Sequence, residues 1–167
     1  MFLKQSDLFW GMDHEFVKRV MDVSVKQSRN KGDVLFRAGD PANKFFILIK
    51  GRVRLGIGDA GRAATVHTVN NPGECFGWSS LIERDSYTAM AECSERCELT
   101  MIGRKDFESV LAKDPANGMV FLKRLAGLIA ERLTNSYRML SSELSAMGEG
   151  APGTGQLERT SNAVRAE

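Results

Sequence analysis

Apolar and polar positions change their period twice along the chain. Over residues 7–29 they fall at helical spacing: Phe16, Val17, Val20 and Met21 share a face, and Asp13 stands where a helix cap belongs. From about Asn30 the period shortens. Runs of β-branched and aromatic residues at 34–36, 45–50, 52–57, 63–69, 74–76, 87–93 and 98–102 are punctuated by Gly32, Gly39, Gly51, Gly56, Gly58, Gly61, Gly73 and Gly77. Short strands between glycine turns predict an antiparallel barrel or sandwich. Lys50-Gly51, between two apolar runs, predicts a hairpin.

Helical spacing returns at Arg104, where Phe107, Val110 and Leu111 make one face and Asp114-Pro115 ends it. A long helix then runs over residues 116–144. Leu122, Leu125, Ile129, Leu133, Ser136, Leu140 and Leu144 step by three or four, an a/d seam with one polar layer at Ser136. Such a helix spans roughly 43 Å, more than a small barrel needs for cover. Its expected use beyond covering the barrel is to pair with a second copy as a homodimer. From Met147 the chain is rich in glycine and short polar residues, which predicts a flexible tail. The expected organisation is a helical segment at 1–30, a β-roll at 31–103, C-terminal helices at 104–145 and a tail at 146–167.

Composition narrows the class. The 167 residues are 43% hydrophobic and 26% charged, a balance that fits one globular domain. Basic and acidic residues number 23 and 21, for a net charge of +2, so no global field points to nucleic acid or an anionic membrane. Three cysteines, Cys75, Cys93 and Cys97, are too few and odd in number for a disulfide framework and read as buried structural thiols. The two histidines, His14 and His67, lie far from them in sequence, so no metal-ligand spacing exists. The N-terminus lacks the apolar run of a signal peptide, and no stretch reaches the ~20 apolar residues of a spanning helix. The expected location is cytoplasmic, off the membrane.

The segment Pro72-Gly73-Glu74-Cys75-Phe76-Gly77-Trp78-Ser79-Ser80-Leu81 carries the chemistry. Pro72-Gly73 turns the chain, Phe76 points inward, Gly77 permits close backbone approach and Ser79-Ser80 can start a short helix. Such a turn offers N–H groups to an anion.

Here the chain resembles the cyclic-nucleotide-binding domain family, which includes the catabolite-activator (Crp-Fnr) type of bacterial regulator. The likeness covers residues 8–144. It rests on Lys31-Gly32-Asp33-Val34-Leu35-Phe36, then Gly39-Asp40-Pro41-Ala42, the run from Phe45 through Lys50-Gly51 to Leu55, the segment 72–81, Cys97-Glu98-Leu99 and Ile102. The resemblance implies an eight-stranded jelly-roll β-roll (a double-stranded β-helix) with flanking helices. It implies a phosphate-binding cassette at 73–88 and a dimer made through the long C-terminal helix.

Two positions depart from the family pattern. The family has a glutamate after the cassette Phe-Gly, where its carboxylate holds the ribose hydroxyl; this chain has Trp78. An indole donates one hydrogen bond and accepts none. The family pairs an arginine with the cyclic phosphate; this chain has Tyr87, followed by Thr88. The expected ligand-binding set is therefore Phe76, Gly77, Trp78, Ser79, Ser80, Arg84, Tyr87 and Thr88, with Ser136 and Tyr137 where the family sets polar or aromatic groups over the purine. A hydrogen bond to a charged group contributes about 1.5–3 kcal/mol. Losing two such sets lowers affinity by roughly two to four orders of magnitude. Arg84 stands where it could supply a replacement cation, and Trp78 and Tyr87 could stack on a planar ligand or simply fill the emptied pocket.

Three functions compete on these grounds. One is a sensor module that binds a small anion, nominally cyclic AMP or cyclic GMP, and signals through its C-terminal helix to an unknown downstream protein. Another is a dimeric interaction module with a filled, ligand-free pocket. The third is a transcription regulator of the Crp-Fnr type acting through a partner, since the 23 residues after Leu144 leave no room for a helix-turn-helix. Direct DNA binding is not expected. The basic residues Lys123, Arg124, Arg132 and Arg138 alternate with Glu131 as a solvated helix face does. Three cysteines are one short of a four-thiolate iron–sulfur site, and neither histidine is expected to hold haem. No nucleophile–base pair and no acid–base carboxylates suggest an enzyme.

Overall fold

The computed structural model describes residues 6, 8–58, 64–82 and 84–148. The chain divides into two compact units, Met1–Ile129 and Ala130–Glu167. The first holds helix α1 (His14–Asp22), strands β1 (Ser24–Arg29), β2 (Val34–Phe36), β3 (Lys44–Lys50), β4 (Val53–Ile57), β5 (Ala64–Val69), β6 (Cys75–Phe76), β7 (Met90–Cys93) and β8 (Cys97–Gly103), and helix α2 (Arg104–Lys113). Helix α3 (Pro115–Gly148) starts in the first unit and ends in the second.

The strands form two antiparallel four-stranded sheets in the orders β1-β8-β3-β6 and β2-β7-β4-β5. This is the expected jelly-roll β-roll. Between its two exposed lysines, the run FFILI of β3 is apolar without a break because Phe45 to Leu48 are buried on both faces. Phe46 and Leu48 join the core between the sheets with Phe36, Val53, Phe76 and Leu99. Phe45 and Ile47 point the other way, into a second core with Phe16 and Val20 of α1, Phe107 of α2, and Phe121 and Leu125 of α3. Phe107 meets Phe121 edge-on at 4.7 Å and Phe45 at 5.0 Å.

The helix expected over 7–29 is shorter in the structure. Asp13 caps α1 as expected, its carboxylate accepting from the Glu15 and Phe16 amides at 2.8 and 3.2 Å. Residues 24–29 are strand, paired with β8 from Ser24 opposite Ile102 to Arg29 opposite Cys97. The β3–β4 turn is as expected: Gly51 has φ +105°, and a Cβ there would stand 2.5 Å from the Arg96 carbonyl oxygen. Asp114 caps α3 through the Asn117 amide at 3.1 Å, with Pro115 as the first helical residue.

The apolar row of α3 splits. Leu125 is 2% exposed and Ile129 packs on the same core, with Phe121 fully buried beside them. In the second unit Leu133, Tyr137, Leu140 and Leu144, at steps of four, three and four, are 48–69% exposed. The tail was expected over 146–167; α3 continues through Gly148 instead, and the rest of that reading lies outside the described residues. No helix among the described residues is long and apolar enough to cross a membrane.

Candidate functional site

The cassette begins where β6 stops after two residues. Gly77 takes a left-handed conformation (φ +79°). A Cβ there would sit 3.3 Å from the Phe36 and Phe46 rings and 3.4 Å from the Lys44 carbonyl oxygen. The conformation favours glycine, and the neighbouring rings leave little room for a Cβ. One 3-10 turn, Trp78–Leu81, follows. The Ser80 amide and hydroxyl both donate to the Gly77 carbonyl, at 3.3 and 3.1 Å. Ser79 and Ser80 are buried, so the Ser80 hydroxyl keeps only its lone pairs for a further partner.

The returning limb is zipped to the loop after β2. Pro41 bridges Ser86. The Ala42 amide donates to the Asp85 carbonyl at 2.8 Å, Tyr87 to Asp40 at 3.0 Å and Gly39 to Tyr87 at 2.9 Å. Arg84 and Thr88 are exposed. Arg104 Nη1 donates to the Arg84 carbonyl at 3.1 Å, which ties this limb to the start of α2. Among the described residues the Arg84 guanidinium forms no ion pair.

Tyr87 turns inward. It is 5% exposed and stacks on Phe36 with centroids 3.9 Å apart and planes 15° from parallel. Its hydroxyl donates to the Lys44 carbonyl and accepts from the Lys44 amide at 3.2 Å. Burial raises the phenol above its ordinary value; the Lys44 main-chain bond opposes this and the Asp40 charge adds to it. Phe36, Phe46 and Phe76 continue the stack, Phe46 and Phe76 lying 5.3 Å apart. Trp78 faces the other way, half-buried against the helical core that holds Phe9, Phe121 and Leu125.

The structure thus brings Phe76, Gly77, Trp78, Ser79 and Ser80 into one turn and sets Arg84, Tyr87 and Thr88 on the limb that returns from it. Ser136 and Tyr137 lie in the second unit, where the Ser136 hydroxyl donates to the Arg132 carbonyl at 3.0 Å and Tyr137 is 61% exposed. Sequence reasoning missed Phe36 and the Lys44 main chain as the partners of Tyr87. Both lie more than 40 residues before it, and no local pattern links them. Among the described residues no cluster of histidine, cysteine, aspartate and glutamate could hold a metal ion.

The comparisons with known proteins agree with this fold. A family model described as cyclic nucleotide-binding domain matches residues 26–114. The cyclic AMP receptor protein of Thermus thermophilus is 28% identical over 131 residues, which is 78% of this chain and 59% of that protein. The crystal structure of the Thermus thermophilus catabolite activator protein superposes with a TM-score of 0.66 at 28% identity, covering 86% of this chain and 63% of that one. A cyclic nucleotide-binding domain from Methylobacillus flagellatus KT superposes at 0.73 with 20% identity, over 94% of this chain and 83% of that one. The last likeness is one of fold alone. The chain spans less than two thirds of the length of the Thermus thermophilus protein.

Proposed function

We propose that this chain, which belongs to the cyclic nucleotide-binding domain family, is a non-enzymatic regulatory module that senses a small anionic ligand at its cassette and reports it through α3. The observation that carries the reading is the cassette turn. Gly77 holds a left-handed conformation against Phe36 and Phe46, and Ser79 and Ser80 follow it in a 3-10 turn. In this reading the turn serves as the cradle, with the exposed Thr88 and Arg84 on the returning limb.

The path to α3 lies within the first unit. Trp78 and Leu81 pack on the same core as Phe121 and Leu125 of α3. A ligand that favours one position of the turn therefore favours one packing of that core and biases the helix. The position after Phe-Gly is an anchor to α3 in place of a ribose acceptor. The exposed row Leu133, Tyr137, Leu140 and Leu144 suits a homodimer, and the signal passes to a separate protein. Calorimetry with cyclic AMP and cyclic GMP at millimolar concentration tests the nucleotide version. Weak, saturable heat with at least one is expected; none with either contradicts it.

One observation favours a second reading. Tyr87 fills the barrel interior and spends its hydroxyl on the Lys44 main chain. A cassette closed in this way would serve as a fixed part of an interaction module. That reading expects no heat from the parent and strong binding by a Trp78→Glu, Tyr87→Arg variant that still folds. If the variant binds no better than the parent, the filled pocket is not the barrier.

A further inference from the structure

One end of the barrel includes three connections, residues 30–33 between β1 and β2, 51–52 between β3 and β4, and 94–96 between β7 and β8, beside residues 70–74 between β5 and β6. They are tied together closely. The Ser94 amide donates to the Arg52 carbonyl at 2.9 Å, Gly32 to Cys93 at 2.7 Å and Cys93 to Asp33 at 2.9 Å. The Cys97 thiol donates to the Arg52 and Glu95 carbonyls at 3.2 and 3.3 Å. Gly51 passes so near the Arg96 carbonyl that no Cβ fits between them.

Five exposed cations stand on this end: Arg29, Lys31, Lys50, Arg52 and Arg96. Among the described residues none of them forms an ion pair. Two exposed carboxylates, Glu95 and Glu98, lie among them. The other carboxylates are turned to the protein: Asp33 accepts from the Asn30 amide at 2.8 Å, and Glu74 accepts from the Asn70 and Asn71 amides and faces His67. A chain with a net charge of only +2 thus places unpaired positive charge on one rigid surface, opposite in kind to a solvated helix face with alternating signs.

We infer that this end of the barrel is a docking surface for an acidic segment of another protein. Its loops are already fixed, so docking costs little ordering of the backbone. The large hydrophobic side chains that the structure exposes, Trp10 and Ile57 among them, do not come from these three connections. The surface therefore offers no aromatic platform for stacking bases and no apolar wedge for a bilayer. With Glu95 and Glu98 among five cations the surface stays net positive, and it suits a partner whose carboxylates are spaced by neutral residues. The surface is separate from the cassette and does not depend on what the cassette binds.

The test uses the full chain and three probes: a labelled 20-residue peptide alternating glutamate and serine, a 20-base-pair DNA duplex and vesicles containing phosphatidylglycerol. Binding is read by anisotropy for the peptide and duplex and by co-sedimentation for the vesicles, at low and at physiological salt. The parent is expected to bind the peptide best, more weakly as salt rises. The triple variant Lys50→Glu, Arg52→Glu, Arg96→Glu is expected to bind it roughly tenfold more weakly or worse. A control with the same charge change elsewhere, Lys18→Glu, Lys105→Glu, Lys123→Glu, is expected to keep most of the affinity. Circular dichroism checks that both variants fold. Equal losses in the two variants, no peptide binding by the parent, or tighter binding to the duplex or the vesicles would each overturn the inference.

Discussion

Gly51 shows how much one residue can carry. Its φ of +105° disfavours any L side chain, and a Cβ would meet backbone that cannot move aside. Gly51→Ala is expected to cost about 1–3 kcal/mol from backbone strain alone, with the clash added, as read by urea unfolding. Tyr87→Phe keeps the stack on Phe36 and strips the Lys44 main chain of its partner, an expected cost of ~1–3 kcal/mol. The thiols make a pH prediction. Burial pushes Cys93 up to about 12 from 9.0, and its neighbour Cys97 adds to the shift. A raised value means that the folded state holds the proton more tightly. The stability it contributes is full below pH 9 and is lost as pH climbs toward 12. Thermal melts should fall over that window, and Cys93→Ala should make the fall shallower. An unchanged slope would contradict this. The buried thiols were legible from their count and spacing. The direction of Tyr87 was not, because a tyrosine suits a core or a ligand equally well and its stacking partner Phe36 lies 51 residues away.

At the scale of elements, legibility followed burial. β3 was plain because both its faces are covered. β1 was not: it lies at a sheet edge, and its one large apolar residue, Val25, is 51% exposed. Its strand conformation comes from pairing with β8, which residues 24–29 do not encode locally. The heptad pattern of α3 was visible, but one row of leucines could not say where cover ends and exposure begins. Leu125 and Leu140 divide these uses. Leu125→Ala is expected to cost about 2–5 kcal/mol, since it opens a cavity beside Phe121. Leu140→Ala is expected to change the stability of the fold by under ~0.5 kcal/mol and to weaken self-association in sedimentation equilibrium. Comparable losses of stability at both sites would refute the division. The junction of α2 and α3 should respond to acid. The Asn117 amide, and then the Arg19 guanidinium, hold the Asp114 carboxyl below its ordinary value. Its contribution is present above the ordinary aspartate range and is lost as pH falls through the lowered value. Asp114→Ala should lose that contribution at neutral pH and flatten the acid limb of the melting curve.

For the whole molecule, the proposed sensor joins the β-roll, its helical core and the cassette turn in one device, with Trp78 the joint between turn and helix. The turn through Gly77, Ser79 and Ser80 was legible because a glycine before paired serines is a local signal. The packing of Trp78 was not, since the core it meets, which includes Phe9, Phe121 and Leu125, is assembled from distant segments. The most direct test is an amide NMR titration of the full chain with cyclic AMP. Shifts are expected at Gly77, Ser79, Ser80 and Thr88, together with the Trp78 indole and the amides of Phe121 and Leu125. Shifts confined to the turn, with α3 silent, or no shifts at millimolar ligand, would contradict a sensor that signals through its helix.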